Sequence, residues 1–281
     1  MKFQHPKQLK DIYEGSRVHS ISELMPIIET VQMVKNTGIE YFEFYRGHSL
    51  EAYKLLSGLS RLSDNPTIIS QIDNELQSRF DSEFLPQKLQ ALELSQLHKD
   101  RSFELKWKLA FQAQHLGLKT RLLDWSINWR IALMFAVEDH FESDGALWIF
   151  LCPKVWRYSS AGNTNYFSIH PNNVESTLLI NHGFLLDEQF KEHDGMMRVA
   201  RQAGRFTIQS YNESIIPLEA QSNVDQFLIK IIIDGASKPS IKAELKKSEG
   251  IHLDWAYYRK DSEIDDILKI INTETISKYI P

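Results

Sequence analysis

The sequence predicts an α+β fold: a single mixed domain with N-terminal helices and a central, mostly antiparallel sheet. Apolar residues recur early at helical spacing, as in Ile21, Leu24, Ile28, Val31 and Val34 of segment 21–36. Later segments read as strands, most clearly 226–233 (QFLIKIII), which alternates on an apolar background. Helices first and strands mostly later, without strict alternation of the two, give α+β rather than α/β.

Each element has its own signal. Thr37-Gly38 stops the 21–36 helix. The aromatic run 39–47 (IEYFEFYRG) reads as a strand, with Phe42, Phe44 and Arg46 on one face and Tyr41 and Tyr45 on the other. Segments 67–84 and 87–98 are charged and helix-favouring, and 102–116 sets Leu105, Leu109, Ala113 and Leu116 on one helical side before Gly117. Residues 131–137 are seven apolar residues rich in alanine, predicting a buried helix with Ser126 as its N-cap. The unbroken apolar run 145–152 predicts a strand covered on both faces. Loops and short helices are expected over 153–195, a strand over 205–210, and helices over 240–248 and 261–272.

Composition removes several function classes. A chain of 281 residues, 42% hydrophobic, can bury a large core. The formal net charge of −5 argues against a duplex-sized basic footprint. Cys152 is the one cysteine, which excludes an internal disulfide and any zinc site needing two thiolates, and fits a reducing, cytoplasmic setting. No segment has the length or apolarity of a signal peptide or membrane span. Neither G-x-G-x-x-G nor G-x-x-x-x-G-K-[ST] occurs, so nucleotide binding by a Rossmann or Walker loop is out. Glu138-Asp139-His140 and Glu192-His193-Asp194 lack the spacing of a helical zinc pair, and no metal is expected. Leu55-Leu56-Ser57-Gly58-Leu59-Ser60-Arg61 contains no nucleophile elbow, and Lys242, Lys246 and Lys247 read as a solvated face.

Two places concentrate chemistry. Arg46 shares a strand face with Phe42 and Phe44, where a guanidinium needs either a carboxylate partner or an anionic ligand. Residues 112–126 (QAQHLGLKTRLLDWS) gather Gln114, His115, Thr120, Arg121, Asp124 and Trp125 around a helix stop. Arg121 and Asp124 could bond across a turn, with Asp124 capping the next helix and His115 a satisfied core histidine; alternatively the group lines a ligand site. In that case the helix C-terminus would favour protonated His115.

These residues resemble the FRG-domain family, named for a Phe-Arg-Gly motif that reads Tyr45-Arg46-Gly47 here. Its later element is similar to Gln114-His115-Leu116-Gly117-Leu118-Lys119-Thr120-Arg121-Leu122-Leu123-Asp124-Trp125 followed by the alanine-rich 131–136. A third, Arg-Gln-x-Gly-x-Phe, is similar to Arg201-Gln202-Ala203-Gly204-Arg205-Phe206. The resemblance covers about residues 20–270 and implies one FRG-type domain over 1–281. Tyr45 departs from the family's Phe. Leu56-Ser57-Gly58-Leu59-Ser60-Arg61 lacks the family's proline, so its turn is expected to differ, and the late Tyr-Pro-Asp pattern is echoed only faintly by Tyr257-Tyr258-Arg259-Lys260-Asp261 and Ile264-Asp265.

FRG domains occur often in bacterial and phage proteins, and the resemblance implies a remote ADP-ribosyltransferase-like fold. The implied function is NAD-dependent ADP-ribosyl transfer to protein or nucleic acid, as in a toxin or an antiviral (phage-defence) effector, with an antitoxin or regulator as a partner. NAD would be a co-substrate, without metal and away from membranes. Arg46, Gln202 and His115 would be catalytic, with Arg46, Gly47, Thr120, Arg121, Asp124 and Trp125 binding NAD. Gln202 could hold a ribose hydroxyl but could not serve as a general base. Trp125 would stack on a ring of NAD or remain a core tryptophan. The alternative is a non-catalytic module that binds a nucleotide, a nucleic acid or a protein through the same pocket.

Overall fold

The computed structural model describes residues 6–34, 41–84, 103–153, 157–158, 170–174, 178–180, 202–256 and 262–280. The chain opens with helix α1 (Pro6–Tyr13), a two-residue strand β1 (Arg17–Val18) and helix α2 (Ile21–Val34). Strand β2 (Tyr41–His48) runs one residue past the expected glycine stop. Helix α3 (Pro66–Arg79) starts with Asn65 accepting from Thr67 N and Pro66 in the first turn, then widens into a π-helical turn at Phe80–Phe84. Helix α4 (Phe103–Leu116) ends at Gly117, whose φ of 104° only glycine adopts without strain. The expected helix over 87–98 lies outside the described residues.

Strand β3 (Leu122–Ser126) follows, where the sequence suggested only a polar turn. Helix α5 (Trp129–Ala136) starts one turn further on, and its cap differs from expectation. Asn128 caps it by accepting from Arg130 N, while Ser126 Oγ accepts from Asn128 N just upstream. The cap must sit immediately before the first helical turn, and Ser126 is still in the strand.

Strand β4 (Gly145–Pro153) is buried at all nine positions, as a strand covered on both faces should be. Short strands β5 (Arg157–Tyr158), β6 (Leu178–Ile180) and a 3-10 turn at Pro171–Asn173 are the described parts of 153–195. Strand β7 (Gly204–Ile208), the short helix α6 (Tyr211–Ser214) and strand β8 (Leu228–Ile233) come next. Helices α7 (Lys238–Glu249), α8 (Leu253–Ala256) and α9 (Ser262–Tyr279) follow, α9 running seven residues past the end of its sequence signal at 272.

The strands form one mixed sheet in the order β1-β8-β4-β2-β3-β7-β6-β5, antiparallel except at its two edges. The mostly antiparallel α+β architecture is therefore present. The ladders are uneven. β2 pairs with β4 along its whole length and β3 with β7 along its whole length, whereas β2 meets β3 at the single register pair Tyr45–Ser126. The sheet is thus two four-stranded halves joined at a seam.

Packing explains Gly47. A Cβ there would lie 1.8 Å from the Ala132 carbonyl oxygen and 2.6 Å from Ala136 N, so α5 rests directly on the backbone of β2. Gly145 makes the same approach one strand over, 2.6 Å from Ala136 O. On the opposite face, register places Phe42, Phe44 and Arg46 across from Cys152, Phe150 and Trp148, as alternation requires. Tyr45, buried, donates its hydroxyl to Glu43 Oε2 at 3.0 Å, which gives the tyrosine in this motif a use no phenylalanine could have. Burial and the Glu43 carboxylate push that hydroxyl far above the ordinary tyrosine range. The turn that lacks proline is held by hydroxyls: Ser57 Oγ lies 2.7 Å from Ser60 Oγ and accepts from Ser60 N.

A second core, with α3, α4 and α9 around Ile72, Phe80, Leu118 and Leu268, flanks the sheet. Between it and β3 lies a buried ion pair that the sequence did not suggest. Arg121 does not pair with Asp124. Its Nε donates to Asp73 Oδ2 at 2.8 Å, with both side chains almost wholly buried. Its Nη1 and Nη2 donate to the carbonyls of Gln209 (2.6 Å) and Pro171 (2.8 Å), and its guanidinium stacks 3.8 Å from the Tyr211 ring centre. Residues three apart on extended chain point to opposite faces, so Arg121 and Asp124 cannot meet. Lys242 is also not merely solvated, since it is half-buried and pairs with Glu138 Oε1 at 2.9 Å, whereas Lys246 and Lys247 are exposed.

Candidate active site at the seam

Where β2 and β3 part, a cleft of about 180 Å³ opens. From β2 it receives Arg46 and Gly47, from β3 Asp124 and Trp125, from α4 Gln114. Gln202, Arg205 and the α5 side chains Ile131 and Phe135 complete the walls. The structure therefore brings Arg46, Gly47, Asp124, Trp125 and Gln202 together although they are up to 156 residues apart in the chain.

Arg46 spans the seam. Its Nη1 donates to the Asp124 carbonyl at 2.5 Å and stands 3.8 Å from Asp124 Oδ2. Its Nε donates to His48 Nε2 at 3.0 Å. The guanidinium is 16% exposed, against 52% for the Asp124 side chain, so the cation is held in the wall and the carboxylate reaches into the opening. Gln114 Nε2 donates to both Asp124 oxygens, at 3.2 and 3.1 Å, while Gln114 Oε1 accepts from Thr120 Oγ1 at 2.5 Å. Thr120 is buried and outside the cleft; it orients Gln114, which in turn orients the carboxylate. Arg121, in its buried pair with Asp73, does not reach the cleft. The side chain of His115 lies outside the described residues.

Trp125 is 3% exposed and donates its Nε1 to Thr207 Oγ1 at 3.0 Å, so it is a core tryptophan whose edge forms the cleft floor. Gln202 is positioned by its backbone: its carbonyl accepts from Ser126 Oγ at 2.8 Å, and the next residue, Ala203, turns the chain with φ 47°. Its amide nitrogen points to Ala256 O at 3.4 Å. His48, 5% exposed, was not singled out by sequence reasoning; a signal existed, because it follows Arg46 by two residues on the same strand face. Burial first, then the charges of Arg46, Arg61 and Lys230, lower its pKa to about 3.

The motif geometry coincides with a family match. Residues 43–145 match the FRG domain. The FRG segment starts within β2 and ends at the first residue of β4, so it carries Arg46, Gly47, His48, Gln114, Asp124 and Trp125. Gln202 and Arg205, from the third resembling motif, lie beyond the FRG match and reach the cleft through the β3–β7 ladder. No curated protein and no solved structure matches the chain. Among the described residues no group of three or more His, Cys, Asp or Glu is placed to hold a metal ion, and no helix is long and apolar enough to cross a membrane.

Proposed function

We propose that the seam cleft binds the pyrophosphate and nicotinamide-ribose part of NAD and that the protein is an ADP-ribosyltransferase acting on protein or nucleic acid. The observation that supports this most is the juxtaposition of a wall-held guanidinium, Arg46, with a half-exposed carboxylate, Asp124, across one small cleft. A guanidinium is matched to pyrophosphate oxygens, and carboxylate and carboxamide groups are matched to ribose hydroxyls. NAD supplies the ADP-ribosyl group: the bond between ribose C1′ and nicotinamide nitrogen breaks with its electron pair going to nicotinamide. The acceptor's nucleophile bonds to C1′ and gives up its proton to water. Among the described residues Asp124 is the carboxylate lining the cleft. On this reading it balances positive charge developing at the ribose, an electrostatic role that needs no covalent step. Gln202, with Arg205 beside it, would hold ribose or acceptor; an amide cannot take the proton.

The second reading is a binding module, favoured by the cleft's size, since about 180 Å³ falls below the ~300–1,000 Å³ of most small-molecule sites and admits one end of a dinucleotide. Whether the protein acts as a toxin or antiviral effector under an antitoxin belongs to the first reading.

Purified protein incubated with adenylate-labelled NAD and cell extract, fractionated into protein and nucleic acid, tests the choice. Label should enter one fraction with the wild type and with Lys246→Ala, and fall at least about 100-fold with Arg46→Ala or Asp124→Asn. Saturable nucleotide binding without any transfer or NAD consumption would establish the module instead.

A further inference from the structure

His48 stands behind the cleft, not in it, and its two ring nitrogens have unambiguous partners. Nδ1 lies 3.1 Å from the Tyr53 carbonyl oxygen, and a carbonyl only accepts, so Nδ1 carries the proton. Nε2 lies 3.0 Å from Arg46 Nε, and a guanidinium only donates, so Nε2 is bare. One neutral tautomer satisfies both bonds; a protonated ring would set an N–H against the N–H of a cation. The burial that keeps this imidazole neutral agrees with that geometry.

The bond continues across the seam. From the Tyr53 carbonyl it runs through His48 and Arg46 to the Asp124 backbone, and the Asp124 carboxylate is met from the far side by Gln114 and, behind it, Thr120. Arg46 has a long, rotatable side chain, and its Nη1 carboxylate neighbour, Asp124 Oδ2, is only 3.8 Å away. The His48 bond at Nε and the Asp124 carbonyl bond at Nη1 hold the guanidinium at two of its edges, which fixes its angle to the carboxylate.

We propose that His48 is a positioning residue of the cleft. As a neutral acceptor for Arg46 Nε, it holds the guanidinium in the wall, on the Asp124 carbonyl and short of a hydrogen bond to the Asp124 carboxylate, in the pose that receives an anionic phosphate group. The ligand part of this inference rests on the nucleotide reading above; the geometry of the His48–Arg46 bond does not.

The test has two arms on the full-length protein. In the first, ring nitrogen NMR of the 15N-labelled wild type should show His48 as the Nδ1–H tautomer, bare at Nε2. The Arg46 Nε–H resonance, assigned by its loss in Arg46→Lys, should exchange slowly with water. His48→Gln, which offers a side-chain oxygen as acceptor, should keep that resonance protected, and His48→Leu should lose it. A wild-type Nε2–H tautomer overturns the proposal without any variant having to fold, as does an Arg46 resonance unchanged in His48→Leu. In the second arm, inorganic pyrophosphate and ADP-ribose are titrated by calorimetry. His48→Leu should weaken binding about tenfold or more and His48→Gln should restore it to within about threefold, as for other residues that act through an orienting hydrogen bond. Equal loss in a folded His48→Gln overturns the positioning role. If neither probe binds the wild type, the nucleotide reading fails while the first arm still decides His48.

Discussion

Asp73→Asn isolates the buried anchor beneath the site. The substitution keeps the shape of the side chain but removes the negative charge that faces Arg121 Nε at 2.8 Å, and that also accepts from Tyr211 Oη at 3.0 Å and, through Oδ1, from Gln77 Nε2 at 3.0 Å. The guanidinium left behind is 1% exposed, so water cannot replace the lost carboxylate. Breaking such a pair from one side costs about 3–5 kcal/mol. Arg121 keeps two carbonyl acceptors, Gln209 O and Pro171 O, which puts the expected loss at the lower end, about 3 kcal/mol. At ~2–4 °C per kcal/mol for a chain of this class, melting followed by circular dichroism should fall by roughly 6–12 °C. Asp124→Asn provides the contrast, because its half-exposed carboxylate should matter to stability by no more than about 1 kcal/mol. Asp73→Leu combined with Arg121→Met should recover much of the single-variant loss, since an apolar pair leaves no charge stranded. An Asp73→Asn protein that melts within 2 °C of the wild type, or an Asp124→Asn protein that is the more damaged of the two, would refute this assignment of partners.

Gly47→Ala should cost about 3 kcal/mol or more, read by urea unfolding, because its Cβ would meet helix backbone and not a movable side-chain tip; near-wild-type stability would show that α5 does not rest on β2 as described. Acid should destabilise the wild type through His48. Its folded pKa of about 3 lies below the ~6.5 of an unfolded chain, so the unfolded state takes up a proton that the folded state refuses as pH falls from 6.5 toward 3. That contribution is absent in His48→Gln, so the stability lost on acidification should be smaller in the variant by up to a few kcal/mol, and parallel pH profiles would count against a neutral buried ring.

Elements with strong internal periodicity were legible before the structure: α2 from its apolar spacing, β4 from its unbroken apolar run, α5 from its alanines. β3 was not, because Leu122 and Leu123 are buried on opposite faces and the flanking Arg121 and Asp124 each find a partner far along the chain. Proximity in sequence made Arg121 and Asp124 look like a pair; the strand separates them, and Asp73, 48 residues earlier on a polar-looking helix, takes Arg121 instead. Arg46 and Asp124 were both singled out, but only the seam makes them neighbours. Gly47 was read as a ligand contact, and its tighter constraint comes from Ala132, which no local pattern connects to it.

The joint at Tyr45 and Ser126 also separates two kinds of motion. Each half-sheet completes its own main-chain ladders, so widening the gap between β2 and β3 strains one register pair, the Arg46 bridge and the packing of Trp125 on Phe150, and leaves the ladders on either side intact. Breathing along this fault line therefore breaks fewer main-chain hydrogen bonds than melting either half, and slow-exchanging amides should survive inside β4 and β7 while those bordering the gap exchange through it. A molecule wedged between the two flanks would act as a rivet, and its affinity would register as a closing of that one line in hydrogen exchange and not as a general stiffening of the fold.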